Sequence, residues 1–336
     1  MSTHRDNCIA RVREALAEDP RTNALDLEVA VSEGRILLRG PVETAERQEH
    51  VVAVAATACE GLPVVDQTWI SHHPPVRVDA DASHVRIAAV GDVHVGRDAE
   101  GLLRLRLTSI GTQADALLLA GDLTQHGDVD EARVLAGDLE GLPVPVVAVL
   151  GNHDYHSGAE AAIRAVLEDV GVVVLDGESV VLPIGQRRVG IAGVKGFGSG
   201  FAGACASEFG EEEMKAFVRH TKRHAGRLYE LLVTLDADVR IALTHYAPVA
   251  DTLEGERREI YPFLGSYLLG DAIDAAGCDL AIHGHAHKGC EHGVSAAGVP
   301  VRNVALPVIR DGYRVYLVDG AKTAVREAPA IHAEPA

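Results

Sequence analysis

Val144-Pro-Val-Val-Ala-Val-Leu150 runs straight into Gly151-Asn152-His153-Asp154. A short run apolar on both faces reads as a strand buried in a sheet that helices cover. The glycine ends it, and side chains able to hold a metal or carry a proton come next. The same texture recurs in Arg86–Gly91, Asp115–Ala120, Arg188–Val194, Asp238–Thr244 and Cys278–His283. Five of the six runs are followed within two residues by such groups: Gly91-Asp92-Val-His94, Gly121-Asp122, Gly151-Asn152-His153-Asp154, His245 and Gly284-His285-Ala-His287. A lone Asp or His at a strand end usually caps a turn. Five at corresponding ends point to one rim, because sheets of this class build their sites beyond the carboxyl ends of the strands. Glycine precedes four of the groups, where the backbone must bend tightly around an ion or a phosphate.

Working outward, residues 84–320 form this α/β region, and residues 5–70 read as a separate unit. Ile9, Val12 and Leu16 share a helical face, and Leu25, Leu27, Val29 and Val31 alternate as in a half-buried strand. Ser32-Glu-Gly34 is a turn, Arg35–Arg39 a second strand, and Pro41 opens a helical stretch that Gly61 ends. Val64–Ile70 is a third strand, so the order is αββαβ, a small α+β domain. Ser71-His-His-Pro-Pro-Val begins a Pro-containing linker over residues 71–83, with His72 and His73 read as solvated. Residues 321–336 read as a flexible Ala/Pro/Glu-rich tail.

The chain has 336 residues, with 31 basic and 49 acidic side chains and a formal net charge of −18. That balance argues against a nucleic-acid polymer as partner, since phosphate backbones are held by Lys and Arg. No apolar stretch is long enough for a membrane helix, and no secretory h-region follows the first residues, so a cytoplasmic location is expected. Cys8, Cys59, Cys205, Cys278 and Cys290 are odd in number and widely spaced, which predicts buried thiols and no disulfide framework.

The ordered set Asp-x-His, Gly-Asp, Gly-Asn-His-Asp, His, Gly-His-x-His resembles the calcineurin-like metallophosphoesterases over residues 84–320. The resemblance implies a four-layer αββα sandwich. It also implies that Asp92, His94 and His287 hold one divalent ion, that Asn152, His245 and His285 hold another, and that Asp122 bridges the two. His153 would protonate the leaving oxygen, with Asp154 fixing its tautomer. Residues 5–70 resemble a BON domain through the strands around Gly34, the run Ile36-Leu-Leu-Arg-Gly40-Pro-Val42 and the Glu43–Cys59 helix. BON domains are linked with lipid or other ligand binding. Here seven basic and twelve acidic residues disfavour contact with an anionic membrane.

Two divalent ions suit phosphate esters because they neutralise phosphoryl charge and acidify a shared water. With only N and O donors, Mn, Fe and Zn all fit. The expected reaction is attack of metal-bound hydroxide on a small phosphate ester. The spacing Gly121-Asp122-x-x-x-x-Gly127 with Glu131 resembles class III cyclic nucleotide phosphodiesterases, which favours a diester. A phosphomonoesterase is the alternative, and a ligand-binding sensor built on the BON-like module and a non-catalytic phosphoesterase fold is the rival of another class. Lys195, Glu211–Glu213, His220 and His224 are expected to be solvated. His126, His156 and His283 are expected to pack or hydrogen-bond. Gly198-Ser-Gly200-Phe-Ala-Gly203 matches a dinucleotide fingerprint only formally and is expected to be a mobile flap over the centre.

Overall fold

Alternation of apolar and polar side chains makes the first element pairs. In a computed structural model of the chain, which describes residues 8–13, 15–16, 19, 22, 27–32, 34–42, 45–59, 62–70, 84–319 and 326–327, Leu27 and Val29 are buried. Strand β1 (Glu28–Ser32) pairs antiparallel with β2 (Arg35–Val42), and β2 pairs parallel with β3 (Val64–Ile70). Helical residues 8–13 and 15–16 turn Cys8, Val12 and Leu16 inward, and Ile9 packs half-buried against the same core. The helix Ala45–Ala58 covers the same core with Val51 and Ala55.

Two expectations for this unit are corrected. Pro41 does not open a helix; it lies in β2, in register with Trp69 of β3. Among the described residues pairing with β1 stops at Arg39, so there the missing N–H of Pro41 breaks no ladder bond. Cys8 and Cys59 form a disulfide, with Cα atoms 5.9 Å apart across 51 residues of sequence. Wide spacing in sequence hid a pair that the helix face and the end of the Ala45–Ala58 helix bring together. Cys205 is exposed instead of buried.

The chain divides into two units, residues up to 79 in one and 80–328 in the other. The linker 71–83, with His72 and His73, and the tail apart from Arg326–Glu327 lie outside the described residues.

The larger unit has two six-stranded sheets. One runs β17-β16-β4-β5-β6-β7, the other β14-β15-β13-β12-β9-β8. The six apolar runs become β4 (Val85–Val90), β5 (Ala116–Ala120), β6 (Val146–Val149), β9 (Arg187–Val194), β12 (Val239–Thr244) and β13 (Leu280–His283). Strands β4, β5 and β6 are mutually parallel, as are β9, β12 and β13, so each trio ends on one edge. The remaining strands are β7 (Val173–Val174), β8 (Glu178–Ile184), β14 (His292–Val294), β15 (Pro300–Asn303), β16 (Arg314–Val318) and β17 (Arg326–Glu327). The short hairpin β10 (Gly200–Phe201) and β11 (Ala204–Cys205) stands apart from both sheets.

Side-chain size sorts the layers. Val189, Ile191, Val239, Ile241, Leu243, Leu280 and Ile282 join the core of the first sheet. Ala192, Ala242 and Ala281 face the other way, onto the helices Glu212–Thr234 and Tyr267–Ala276. On the first sheet, Leu135 and Leu139 of the helix Val129–Leu139 and Ile163 and Leu167 of the helix Glu160–Asp169 close the core. Bulky residues between the sheets and alanines under the helices give helix, sheet, sheet, helix, the four-layer α/β sandwich. No helix among the described residues is long and apolar enough to cross a membrane.

Candidate metal centre

Backbone ladders continue beyond the strand ends and fix the loops to one another. Asp92 N–H donates to the Gly121 carbonyl at 2.9 Å, His94 N–H to Asp122 at 3.0 Å, and His245 N–H to Lys195 at 3.0 Å. Among the described residues, five non-glycine residues have positive φ, and four of them are Asp92, His94, Asp122 and His285. Each costs about 1–3 kcal/mol, and such strain collects where side chains must be aimed. Glycines make room for those turns. A Cβ on Gly151 would lie 2.1 Å from Asp122 Oδ1, and one on Gly284 would lie 2.3 Å from Asp92 Oδ2.

The ligand-type atoms converge in three overlapping groups: Asp92, His94 and His287; His94, Asp122 and His153; Asp122, His245 and His285. Within each group they lie within 4.8 Å of one another. His287 Nε2 is 2.9 Å from Asp92 Oδ1, and His245 Nε2 is 2.9 Å from Asn152 Oδ1 and 3.3 Å from Asp122 Oδ1. All seven residues expected to hold metal therefore meet at one mouth. Asp122 stands in the middle, with His94 Nε2 at 3.8 Å and His153 Nε2 at 3.9 Å from its Oδ2.

Outer contacts decide which ring nitrogens carry protons. His245 Nδ1 lies 2.9 Å from the Ala120 carbonyl, which can only accept, so Nδ1 holds the hydrogen and Nε2 is bare. That bare nitrogen then faces two oxygens that are also acceptors. His285 Nε2 donates in the same way to the Phe263 carbonyl at 3.0 Å, leaving Nδ1 bare. His94 Nε2 is buried with no hydrogen-bond partner. An orphaned imidazole nitrogen, and lone pairs facing lone pairs, are costly without a cation and natural ligands with one. The donor set thus fits divalent ions.

Electrostatics agree. Burial pushes the His245 and His285 rings down to about 3, so both are neutral and can ligate. Burial pushes the Asp92 carboxyl up to about 6, against its hydrogen bond from His287, and the charge of Asp122 adds to the rise. Two buried carboxylates repelling one another call for positive charge between them.

Asp154 does not do what the sequence suggested. Its oxygens accept from Leu123 N (3.1 Å), Thr124 N (2.8 Å), Thr124 Oγ1 (2.6 Å) and Gly151 N (2.8 Å). It clamps the Asp122 loop to the Asn152 loop. The tautomer of His153 is set by the Gln125 carbonyl, 2.8 Å from Nδ1, which leaves Nε2 toward Asp122. The carboxylate-behind-imidazole arrangement occurs instead at His126, whose Nδ1 lies 2.9 Å from buried Glu131 Oε1. His283 is structural, held by the Gly284 carbonyl and Thr252 Oγ1. His156 is exposed, its N–H on the His153 carbonyl.

Three further expectations are corrected. Lys195 is buried, not solvated. His220 and His224 meet edge-on with ring centroids 4.6 Å apart, and His220 meets Phe197 edge-on as well, so both rings are half-buried on a packed helix face. The glycine-rich 198–203 segment is tied in: Ser199 and Gly200 N–H both donate to the Gly265 carbonyl, and Ser199 Oγ lies 2.6 Å from Ser266 Oγ. Its glycines serve close packing, since a Cβ on Gly198 would lie 2.2 Å from the Pro262 carbonyl oxygen.

A two-sheet α/β sandwich with carboxylates and imidazoles gathered on one edge defines the class of metal-dependent phosphoester hydrolases. The chain belongs to the calcineurin-like phosphoesterase family, which matches residues 85–289, and residues 5–68 match the BON domain. Over 52 residues it is 31% identical to a "Probable cyclic nucleotide phosphodiesterase" of Xenorhabdus bovienii, covering 16% of this chain and 21% of that protein. The match thus spans about a fifth of that relative. The fold is similar to that of a phosphopantetheinyl hydrolase from Mycobacterium tuberculosis, with a TM-score of 0.53 and 15% identity over 69% of this chain and 96% of the other.

Proposed function

We propose that residues 84–320 form a two-metal phosphodiesterase, tethered by residues 71–83 to the BON domain. Asp92, His94 and His287 would hold one divalent ion, Asn152, His245 and His285 the other, and Asp122 both. The observation that carries this reading is the overlap of the donor groups at Asp122, with His94 Nε2 buried and unpartnered beside it. Bound Mn, Fe or Zn ions at such a centre supply charge neutralisation for phosphoryl oxygens and acidification of water.

The chain's own residues do the rest. Asp122 is positioned by the His153 N–H, which donates to its Oδ1 at 2.8 Å. His153, its side chain 43% exposed, has Nδ1–H held by Gln125 and presents Nε2 to the mouth. Protonated on both nitrogens, it would give the Nε2 proton to the departing alkoxide. A diester is favoured by the Gly121-Asp122-x-x-x-x-Gly127…Glu131 spacing, in which Glu131 is buried and braces His126 through both ring and backbone. The Xenorhabdus relative, described as a probable cyclic nucleotide phosphodiesterase, agrees with that choice.

The test is turnover of a chromogenic phosphodiester and a chromogenic monoester with added Mn²⁺. Diester turnover should exceed monoester turnover, and Asp122→Ala and His153→Ala should each lose about 10²-fold or more with the fold retained. Stoichiometric metal with turnover of neither ester would overturn the reading in favour of a sensor.

A further inference from the structure

Strand β9 is the one apolar run not followed by a ligand. Lys195 comes next, and its carbonyl accepts N–H bonds from both His245 (3.0 Å) and Tyr246 (3.1 Å), so it is built into the rim. Its side chain is buried, the residue being 8% exposed. The ammonium sits in an aromatic cage, Nζ lying 4.3 Å from the ring centroid of Tyr155, 5.3 Å from Phe197 and 5.9 Å from Tyr246. Among the described residues no carboxylate lies within ion-pair distance of it, and its side chain makes no hydrogen bond; Asp176, Asp122 and Glu160 act on it only from farther off.

Two walls of this cage are walls of the metal centre. Tyr155 ends the Asn152-His153-Asp154 loop, and Tyr246 follows His245, its ring 4.4 Å from the ring of His285. An ammonium largely stripped of water is costly unless paired. Ring faces offset part of that cost, and they supply no oxygen for its three N–H donors. If the position only needed an apolar stem, methionine would fill it without the charge. What completes the cage is an anionic oxygen arriving from the mouth.

We propose that Lys195 is a substrate-binding residue, its ammonium taking a phosphoryl oxygen of the ester while the Tyr155, Phe197 and Tyr246 rings hold it in place. This rests on the phosphoesterase reading and adds the group that binds the substrate's charge from the protein side. The residue acts in binding and ground-state orientation, so it should govern KM more than kcat.

Inorganic phosphate is the probe, titrated calorimetrically into the metal-loaded full-length protein at pH 7.5. Lys195→Met should weaken phosphate about tenfold or more, the loss of one charge-assisted contact. Lys195→Arg should recover part of it, and KM for the chromogenic esters should rise in parallel with kcat within about threefold. The melting temperature of Lys195→Met should not fall, since an unpaired, largely desolvated charge has been removed. Should that variant not fold, Lys195→Gln carries the same comparison. Phosphate affinity within threefold of wild type, or a wild-type protein that binds no phosphate, overturns the proposal. A lower melting temperature with unchanged affinity would show a packing lysine. Wild-type protein that binds metal and phosphate but turns over no ester would overturn the hydrolase reading and the substrate role with it, even where Lys195→Met weakens phosphate.

Discussion

At the scale of single residues, the centre is governed by which partners donate and which accept. Asp154 shows this best: three backbone N–H groups and one hydroxyl converge on its two oxygens. Asparagine is the same size but would aim an NH₂ at N–H donors. Asp154→Asn should therefore cost about 2–3 kcal/mol in urea unfolding at pH 7.5, with a large fall in turnover as the two loops separate. A change below about 0.5 kcal/mol would contradict the clamp. The seven ligand-type residues were legible in sequence because Asp92, Asp122, Asn152, His245 and His285 each follow a glycine or a strand end, and His94 and His287 stand two residues beyond Asp92 and His285. Asp154 was misread because neighbours in sequence were taken for partners, although its chain turns the carboxylate toward Thr124. Lys195 was misread because a lysine after a strand ordinarily reaches water, and two of the three rings that cage it, Tyr155 and Tyr246, come from distant segments.

At the scale of elements, parallel strands legible as apolar runs carry the rim, while edge strands escaped notice. Strand β8 holds Pro183 and alternates irregularly in exposure, and β16 (Arg314–Val318) runs antiparallel to β4 (Val85–Val90) from the far end of the α/β region. Neither bears the uninterrupted apolar signature of a covered strand. Glycine has opposite values in the two settings. Gly151→Ala drives a methyl into Asp122, so it should destabilise by about 1–3 kcal/mol and lower metal occupancy. Gly226, exposed inside the helix Glu212–Thr234 with nothing within 4 Å of its Cβ position, should give about 0.5–1 kcal/mol of added stability as Gly226→Ala. Paired urea titrations measure both. Equal effects at the two sites would contradict the close approach.

At the scale of the molecule, buried histidines set the response to acid. Burial holds His224 and His283 at about 4 and His245 and His285 at about 3. The unfolded chain takes up protons near 6.5 that these folded rings refuse, so their stabilisation is present above that pH and lost as pH falls toward 4. Asp92 and Asp154, both raised to about 6 by burial, work the opposite way, adding stability as pH falls through 6 toward 4. The histidines are more numerous and further displaced, so the metal-free protein should lose several kcal/mol between pH 7 and pH 5. Denaturant midpoints that stay flat or rise across that window would contradict the balance. The two-unit organisation was visible in the sequence from its αββαβ order and the switch to covered strands. The Cys8–Cys59 bond was not, because it depends on which helix face turns inward.

The central claim is that one mouth holds two cations. Anomalous diffraction from crystals grown with Mn²⁺ tests it directly. The account predicts two peaks per chain, each about 2.0–2.3 Å from its ligands. One should touch Asp92, His94 and His287, the other Asn152, His245 and His285, with Asp122 reaching both. A single peak, or peaks away from Asp122, would contradict it.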